Sequence, residues 1–227
     1  THPSLLPKFR GTDVHRWQIY KNVQKSGATI HYVDKGFDTG PIIGQVVINI
    51  NSYDIPQKLH KKVALAARDL MVEVLEKIKK SNAEDKVSVQ IQTARDDLSL
   101  YYSAWCWDDE FMQMNWNRSA NDIHRYILAC TQESFKYNGP FFFIKNNKII
   151  LRQAEVINFN KQCKLGTIMK IVESGFIVKC MGKRDNLLIK VLQIGTQLGF
   201  PQQPNCEPSI NAHQFLELYN LREGSIL

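Results

Sequence analysis

His2-Pro3-Ser4-Leu5-Leu6-Pro7-Lys8-Phe9-Arg10-Gly11 and Ser26-Gly27-Ala28-Thr29-Ile30-His31-Tyr32-Val33-Asp34-Lys35-Gly36-Phe37-Asp38-Thr39-Gly40 are the stretches that decide how this 227-residue chain is read. Two prolines and a glycine hold the first off a helical path, with a histidine at its head. In the second, the β-branched and aromatic residues 28–33 read as a strand. The glycines around Asp38 permit a tight turn that can hold a carboxylate against another group. A histidine and an aspartate brought together form a tunable acid–base pair, because the carboxylate stabilises the imidazolium and raises its pKa. Taken alone, His2 and Asp38 read more readily as two unrelated loop residues.

Outward from these stretches, residues 42–50 read as a second strand. Residues 55–80 follow as a helix, because Leu59, Val63, Ala66, Ala67, Leu70, Val74, Leu75 and Ile78 recur every three or four positions and make one buried stripe. Asp54 is the expected N-cap, Pro56 stands in the first turn, and Lys77, Lys79 and Lys80 complement the dipole in the last. Residues 81–115 are polar and acidic, then aromatic. Tyr101, Tyr102, Trp105 and Trp107 are expected to pack as a seam rather than remain solvated. Ser119 caps a helix of about residues 120–132. Beyond it, segments 140–145, 148–157, 166–171, 175–181 and 187–193 alternate with turns and suggest a small closed β-barrel. A short helix is expected over 211–219.

The formal charge of +7 is unevenly spread: residues 1–115 hold 15 Lys+Arg against 14 Asp+Glu, residues 116–227 hold 14 against 8. A basic second half suits a polyanionic partner such as RNA, and equally a plain solvated surface. The five cysteines, Cys106, Cys130, Cys163, Cys180 and Cys206, are odd in number and have no CxxC spacing. They read as free thiols rather than as disulfides or zinc ligands. His15, His31, His60 and His124 form no ligand spacing either, so no metal is expected. Asp13 and Asp34 read as turn residues. No apolar run is long enough to span a bilayer, and a cytoplasmic location is the expectation.

The two opening stretches, in this order, resemble the signature of the folate-dependent formyltransferases. The resemblance implies an α/β fold: the C-terminal portion of a Rossmann-like catalytic domain (residues 1–100), a linker (101–115) and an OB-like β-barrel (116–227). It implies transfer of a formyl group from 10-formyltetrahydrofolate to a primary amine. In that family an Asn, a His and a downstream Asp form the catalytic set; His2 and Asp38 match the last two, and the Asn is expected one residue before Thr1. A protonated His2 is then expected to stabilise the oxyanion on the formyl oxygen, and Asp38 to hold His2 and relay a proton. The resemblance places folate contacts on the backbone from Val33 through Asp34, Lys35, Gly36 and Phe37 to Gly40. It places Ser4, Leu5 and Leu6 beside the transfer site and Arg10 near the acceptor.

The second half separates the branches of the family. Met114-Asn115-Trp116, Ser119-Ala120 and Ile123-His124-Arg125 are similar to the start of the C-terminal domain in methionyl-tRNA formyltransferases, as is the tail from Ala212 to Leu227. The purine-pathway enzymes lack that domain. Thr12-Asp13-Val14-His15-Arg16-Trp17 and the Tyr-rich segment before Asp108-Asp109 are instead similar to the enzymes acting on amino-sugar nucleotides. The expected acceptor is therefore initiator methionyl-tRNA, with a nucleotide-linked amino sugar as the alternative. A non-catalytic nucleic-acid-binding remnant is the alternative of another class.

Overall fold

The structure, a computed structural model, describes residues 1–81, 89–92, 97–106, 108–131, 139–195 and 209–227. Trp107 and Cys206, singled out above, lie outside the described residues. The chain divides into two compact units, Thr1–Trp105 and Cys106–Leu227. Tyr101, Tyr102 and Trp105 thus belong with the first unit, and the segment 106–115 with the second.

The first unit opens with a short strand, Arg10–Gly11 (β1), and a helix, Val14–Tyr20 (α1). Nothing in the sequence of α1 signals a helix. It begins at Asp13 in left-handed backbone (φ 51°) with no side-chain cap bond, and is held by burial of Val14 and Ile19. Its buried Gln18 accepts a 2.8 Å bond from the Ser26 hydroxyl. The strands Lys25–His31 (β2) and Ile42–Asn49 (β3) pair antiparallel, close to the two expected segments.

Across this hairpin lies the helix Pro56–Lys80 (α2), whose Leu70 and Val74 pack on Ile30 together with Ile43, Val46 and Met71. Two expectations for α2 are corrected. Asp54 does not cap it: Ile55 holds that position without a side-chain bond. The buried Asp54 carboxylate instead closes the preceding turn, accepting from Asn51 N–H (2.8 Å) and from the Lys62 ammonium (2.6 Å). The buried stripe is also narrower than the periodicity suggests. Leu75, about 100° around the axis from Val74, is 55% exposed, and Ile78 in the last turn is 40% exposed.

The strand Tyr101–Tyr102 (β4) runs parallel to β1 and brings the aromatic seam with it. Tyr102 stacks on Phe9 at 4.8 Å between centroids, and Trp17 lies 4.6 Å from the buried Trp105. Asp13, at the turn before α1, accepts the Trp105 N–H at 3.0 Å.

In the second unit a short helix, Asp109–Met112 (α3), precedes Ala120–Cys130 (α4). Ser119 caps α4 as expected, its hydroxyl accepting from Asp122 N–H at 3.1 Å. The strands are Phe141–Ile144 (β5), Asn147–Asn158 (β6), Ile168–Val172 (β7), Gly175–Val178 (β8) and Asp185–Gly195 (β9). They form one antiparallel sheet in the order β5-β6-β9-β8-β7, and Ser209–Asn211 (β10) extends it along β9. Among the described residues β5 and β7 do not pair with each other. Their free edges make single bridges instead, Phe141 with Gln113 and Thr167 (just before β7) with Ile226. The closing helix Ala212–Tyr219 (α5) starts with a reciprocal capping box between Asn211 and Gln214.

The core gathers Ile123 and Ile127 of α4, Phe142, Leu151, Phe176 and Leu192 of the sheet, and Phe215 of α5. Cys130 and Cys180 are buried free thiols, while Cys106 and Cys163 are half-buried. Each cap satisfies a backbone donor that the helix cannot. Asn211→Ala is therefore expected to destabilise the second unit by about 1 kcal/mol, read as a lower midpoint in urea unfolding. An unchanged midpoint would show that the cap contributes nothing. Among the described residues, no helix is long and apolar enough to cross a membrane.

Candidate active site

Thr29, buried at the centre of β2, organises the opening loop. Its hydroxyl donates to the Ser4 carbonyl (2.6 Å) and accepts from Leu6 N–H (3.1 Å) and the Gln45 amide (2.9 Å). Its backbone exchanges two bonds with His2 (2.8 and 2.9 Å), which fixes the histidine at the edge of the hairpin. The loop then doubles back: the Ser4 hydroxyl donates to the Lys8 carbonyl (2.6 Å), Leu6–Pro7 is cis, and Phe9 takes φ 58°. The result places the Phe9 carbonyl 2.7 Å from His2 Nε2. A carbonyl only accepts, so Nε2 carries the proton and Nδ1 is turned toward Asp38 Oδ2, 3.4 Å away.

Asp38 reaches that position through a strained backbone, φ 57°, in a non-glycine residue. Gly40 makes the turn possible, because a Cβ there would lie 1.7 Å from the Tyr32 carbonyl oxygen. Asp34 accepts from Gly36 N–H (3.1 Å) and the Thr39 hydroxyl (2.7 Å). Gly11, at φ 96°, donates its N–H to Asp38 Oδ2 at 2.9 Å.

A third participant went unnoticed in the sequence. His31 Nδ1 donates to the Tyr32 carbonyl (2.9 Å), leaving Nε2 3.9 Å from Asp38 Oδ1. Its position on the strand before the turn was the available signal. Two imidazoles thus keep their protons on backbone carbonyls and turn their second nitrogens to opposite oxygens of one carboxylate.

The expected rise in the His2 pKa is not what the structure produces. Burial pushes it below the ordinary value and outweighs the pull of the Phe9 carbonyl and of Asp38, while His31 opposes protonation further. His2 is therefore neutral near neutral pH, with an Nδ1 lone pair beside a carboxylate that is itself 26% exposed. Burial makes this imidazole a weaker base than a free one, and Asp38 is the group beside it that favours the imidazolium.

The other expected site residues separate into two groups. Val33 and Phe37 stand 94% and 79% exposed on the loop beside Asp38, with Lys35 and Gly36 also exposed. Ser4 and Leu6 are buried and shape the loop from within; Leu5 is half-buried. Arg10, expected near the acceptor, is also buried, and its guanidinium donates to Gln92 Oε1 at 2.8 Å. No group of three or more His, Cys, Asp or Glu placed to hold a metal ion occurs among the described residues.

A second histidine pair lies on α1 and α2, with His15 Nε2 3.3 Å from His60 Nδ1. Burial, then the neighbouring His60, lowers the His15 pKa to about 4. The unfolded chain, with His near 6.5, therefore binds more protons than the folded one between pH 6.5 and 4. Stability from this group is complete above pH 6.5 and is lost as pH falls toward 4. Between pH 7 and 4.5 the loss from His15 is expected to be about 2–3 kcal/mol, compared by urea unfolding with His15→Gln. Equal losses in the two proteins would count against it.

The His2–Asp38 contact lies in the first unit, and a unit built on one antiparallel sheet follows it. Two domain models of one family match the chain: formyl transferase over residues 1–75, and formyl transferase, C-terminal domain, over residues 108–198. The chain belongs to the formyl transferase family. It is 27% identical over its whole length to the methionyl-tRNA formyltransferase of Clostridium beijerinckii and covers 65% of that protein. Against the methionyl-tRNA formyltransferase of Thermodesulfovibrio yellowstonii it is 26% identical over 98% of its length, covering 63% of that protein. The chain thus spans just under two thirds of these relatives.

Among solved structures, an N-formyltransferase from Helicobacter canadensis in complex with folinic acid and dTDP-3-aminofucose aligns with a TM-score of 0.61. It is 21% identical, with 82% of this chain and 63% of that one covered. HypX from Aquifex aeolicus in complex with tetrahydrofolic acid aligns with a TM-score of 0.62 and 13% identity. That alignment covers 100% of this chain and 36% of that one. Both share the fold: a Rossmann-like portion and a β domain.

Proposed function

We propose that the protein transfers the formyl group of 10-formyltetrahydrofolate to a primary amine, and that the cluster of His2, Asp38 and His31 carries the protons. The observation supporting this reading is the orientation of the two imidazoles about Asp38. In the reaction the amine nitrogen bonds to the formyl carbon, the bond from that carbon to N10 breaks, and one proton passes from the amine to N10. His2 and Asp38 take that proton and return it. His2 serves in proton transfer rather than as a fixed cation on the formyl oxygen, because burial favours its neutral form, its Nε2–H is given to the Phe9 carbonyl and its Nδ1 keeps a lone pair. Val33 to Phe37 hold the folate, with Val33 and Phe37 offering apolar surface next to Asp38.

The acceptor in this reading is initiator methionyl-tRNA. Its support is the positive charge of residues 116–227 and the similarity to methionyl-tRNA formyltransferases along the whole chain. Lys161 donates to the Met169 carbonyl (3.0 Å), Lys170 lies 6.0 Å from the centre of the Phe159 ring, and the Arg184 carbonyl accepts from Phe159 N–H (3.0 Å). All three side chains are exposed, and Lys170 sets a cation over an aromatic ring, a pairing that suits phosphate and base contact. The alternative acceptor, a nucleotide-linked amino sugar, is favoured by Phe37 and Tyr101. They are exposed, 6.2 Å apart and close to Asp38, as a stacking platform would be.

The deciding experiment incubates full-length protein and 10-formyltetrahydrofolate with methionyl initiator tRNA or with a panel of amino-sugar nucleotides. Formyl-methionyl-tRNA is the expected product. Formylation of a sugar nucleotide alone would transfer the assignment to the second reading, and no formylation of either would reject both.

A further inference from the structure

We infer that Gln92 is the positioning residue that holds Asp38 against His2, by clamping the Asp38 turn to the loop that begins with His2. This rests on the reading of His2 and Asp38 as the proton-transferring pair. Gln92 is 3% exposed, and among the described residues its side chain makes three polar contacts. Its Nε2 donates to the carbonyls of Asp38 (3.0 Å) and Gly40 (2.7 Å), the two ends of the tight turn. Its Oε1 accepts from the Arg10 guanidinium (2.8 Å). Arg10 adjoins Gly11, whose N–H holds Asp38 Oδ2. One amide thus spans the two segments that supply the histidine and the aspartate, from fifty-four and eighty-two residues along the chain.

The clamp answers a physical need. Asp38 sits at φ 57°, a backbone that side-chain-bearing residues leave unless their surroundings over-determine it. The loop from Tyr32 to Phe37 that leads into the turn is mostly exposed and contributes little packing of its own. The donors at both ends of the turn come from Gln92, and Arg10 fixes which way the amide faces, oxygen toward the guanidinium and nitrogen toward the turn. The backbone beneath Gln92 is pinned as well: Gln90 and Ile42 exchange two 2.8 Å bonds. Among the described residues the Gln92 side chain bonds to Arg10 and to the Asp38 and Gly40 carbonyls, not to His2 or the Asp38 carboxylate, so it acts through the placement of Asp38.

Gln92→Met keeps the length of the side chain and removes both donors. In the full-length protein, the His2 ring protons are titrated by NMR in wild type, Gln92→Met and Asp38→Asn. Gln92→Met is expected to move the His2 titration in the same direction as Asp38→Asn, because the carboxylate no longer sits at 3.4 Å. In turnover, kcat is expected to fall about tenfold or more with KM for the acceptor nearly unchanged. Gln92→Glu is the second variant. It keeps an acceptor for Arg10, and hence the buried contact, but has no N–H for the turn, and its kcat is expected to fall likewise.

An unmoved His2 titration and wild-type kcat in folded Gln92→Met overturns the proposal. If that variant does not fold, wild-type kcat in Gln92→Glu overturns it. Absence of turnover in wild type removes the formyl-transfer reading instead, and the NMR titration then decides the role of Gln92 on its own.

Discussion

Asp38→Asn is expected to lower turnover by about 10²- to 10⁴-fold while leaving the protein folded. The substitution changes almost no volume. Gly11 N–H and His2 Nδ1 both face Oδ2, so an asparagine keeps either the Gly11 bond with its oxygen or a bond to the His2 lone pair with its NH2. One of the two contacts is given up, a cost of about 1 kcal/mol that leaves the fold intact. What the amide cannot do is hold a proton passing from the attacking amine to N10. The check pairs kcat for formyl transfer with urea unfolding of the same preparation. Near-normal kcat would remove Asp38 from the mechanism; loss of activity together with loss of the folded state would make its role structural.

Phe215→Ala is expected to have the largest effect on stability, about 3–5 kcal/mol. Phe215 is buried at the centre of the second unit. It stacks on Phe176 at 5.8 Å between ring centroids, packs on Tyr219 at 5.1 Å and meets Phe142 edge-on at 6.5 Å. Removing the ring opens a cavity bounded by β5, β8 and α5, whose positions are fixed by the ladder and by the Asn211–Gln214 capping box. Collapse to fill it is therefore restricted, and the cost lies toward the cavity-limited end of such substitutions. Urea unfolding followed by near-UV signals of the aromatic core measures it. A change below about 1 kcal/mol would mean that the core around Phe215 closes over the gap.

The loop beside Asp38 and the residue expected near the acceptor are where sequence and structure divide most instructively. Val33 and Phe37 stand exposed beside Asp38, on the loop the sequence pointed to. Arg10 belongs to the same motif, yet it is buried and turned to Gln92, because a guanidinium enclosed in protein needs an acceptor and Gln92 supplies one. A motif shows which residues go together; it does not show which way a side chain faces. Helix α1 and the role of His31 were missed for related reasons. The one is held by tertiary burial without a period of its own, and the other depends on a carboxylate seven residues on, brought back by a turn.

By itself the sequence determined the elements whose signals are local. The period of α2 placed that helix, the serine and asparagine caps placed α4 and α5, the β-branched runs placed the strands, and the opening motif led to the family. Only the tertiary structure decided the state of the site. Whether a histidine beside an aspartate is charged depends on the balance between burial and attraction, and burial prevails at His2. Which amide holds the aspartate in its strained turn depends on a contact across fifty-four residues, which no local pattern encodes. Local propensity is written in neighbouring residues. Desolvation and long-range hydrogen bonding arise only when the chain has closed on itself.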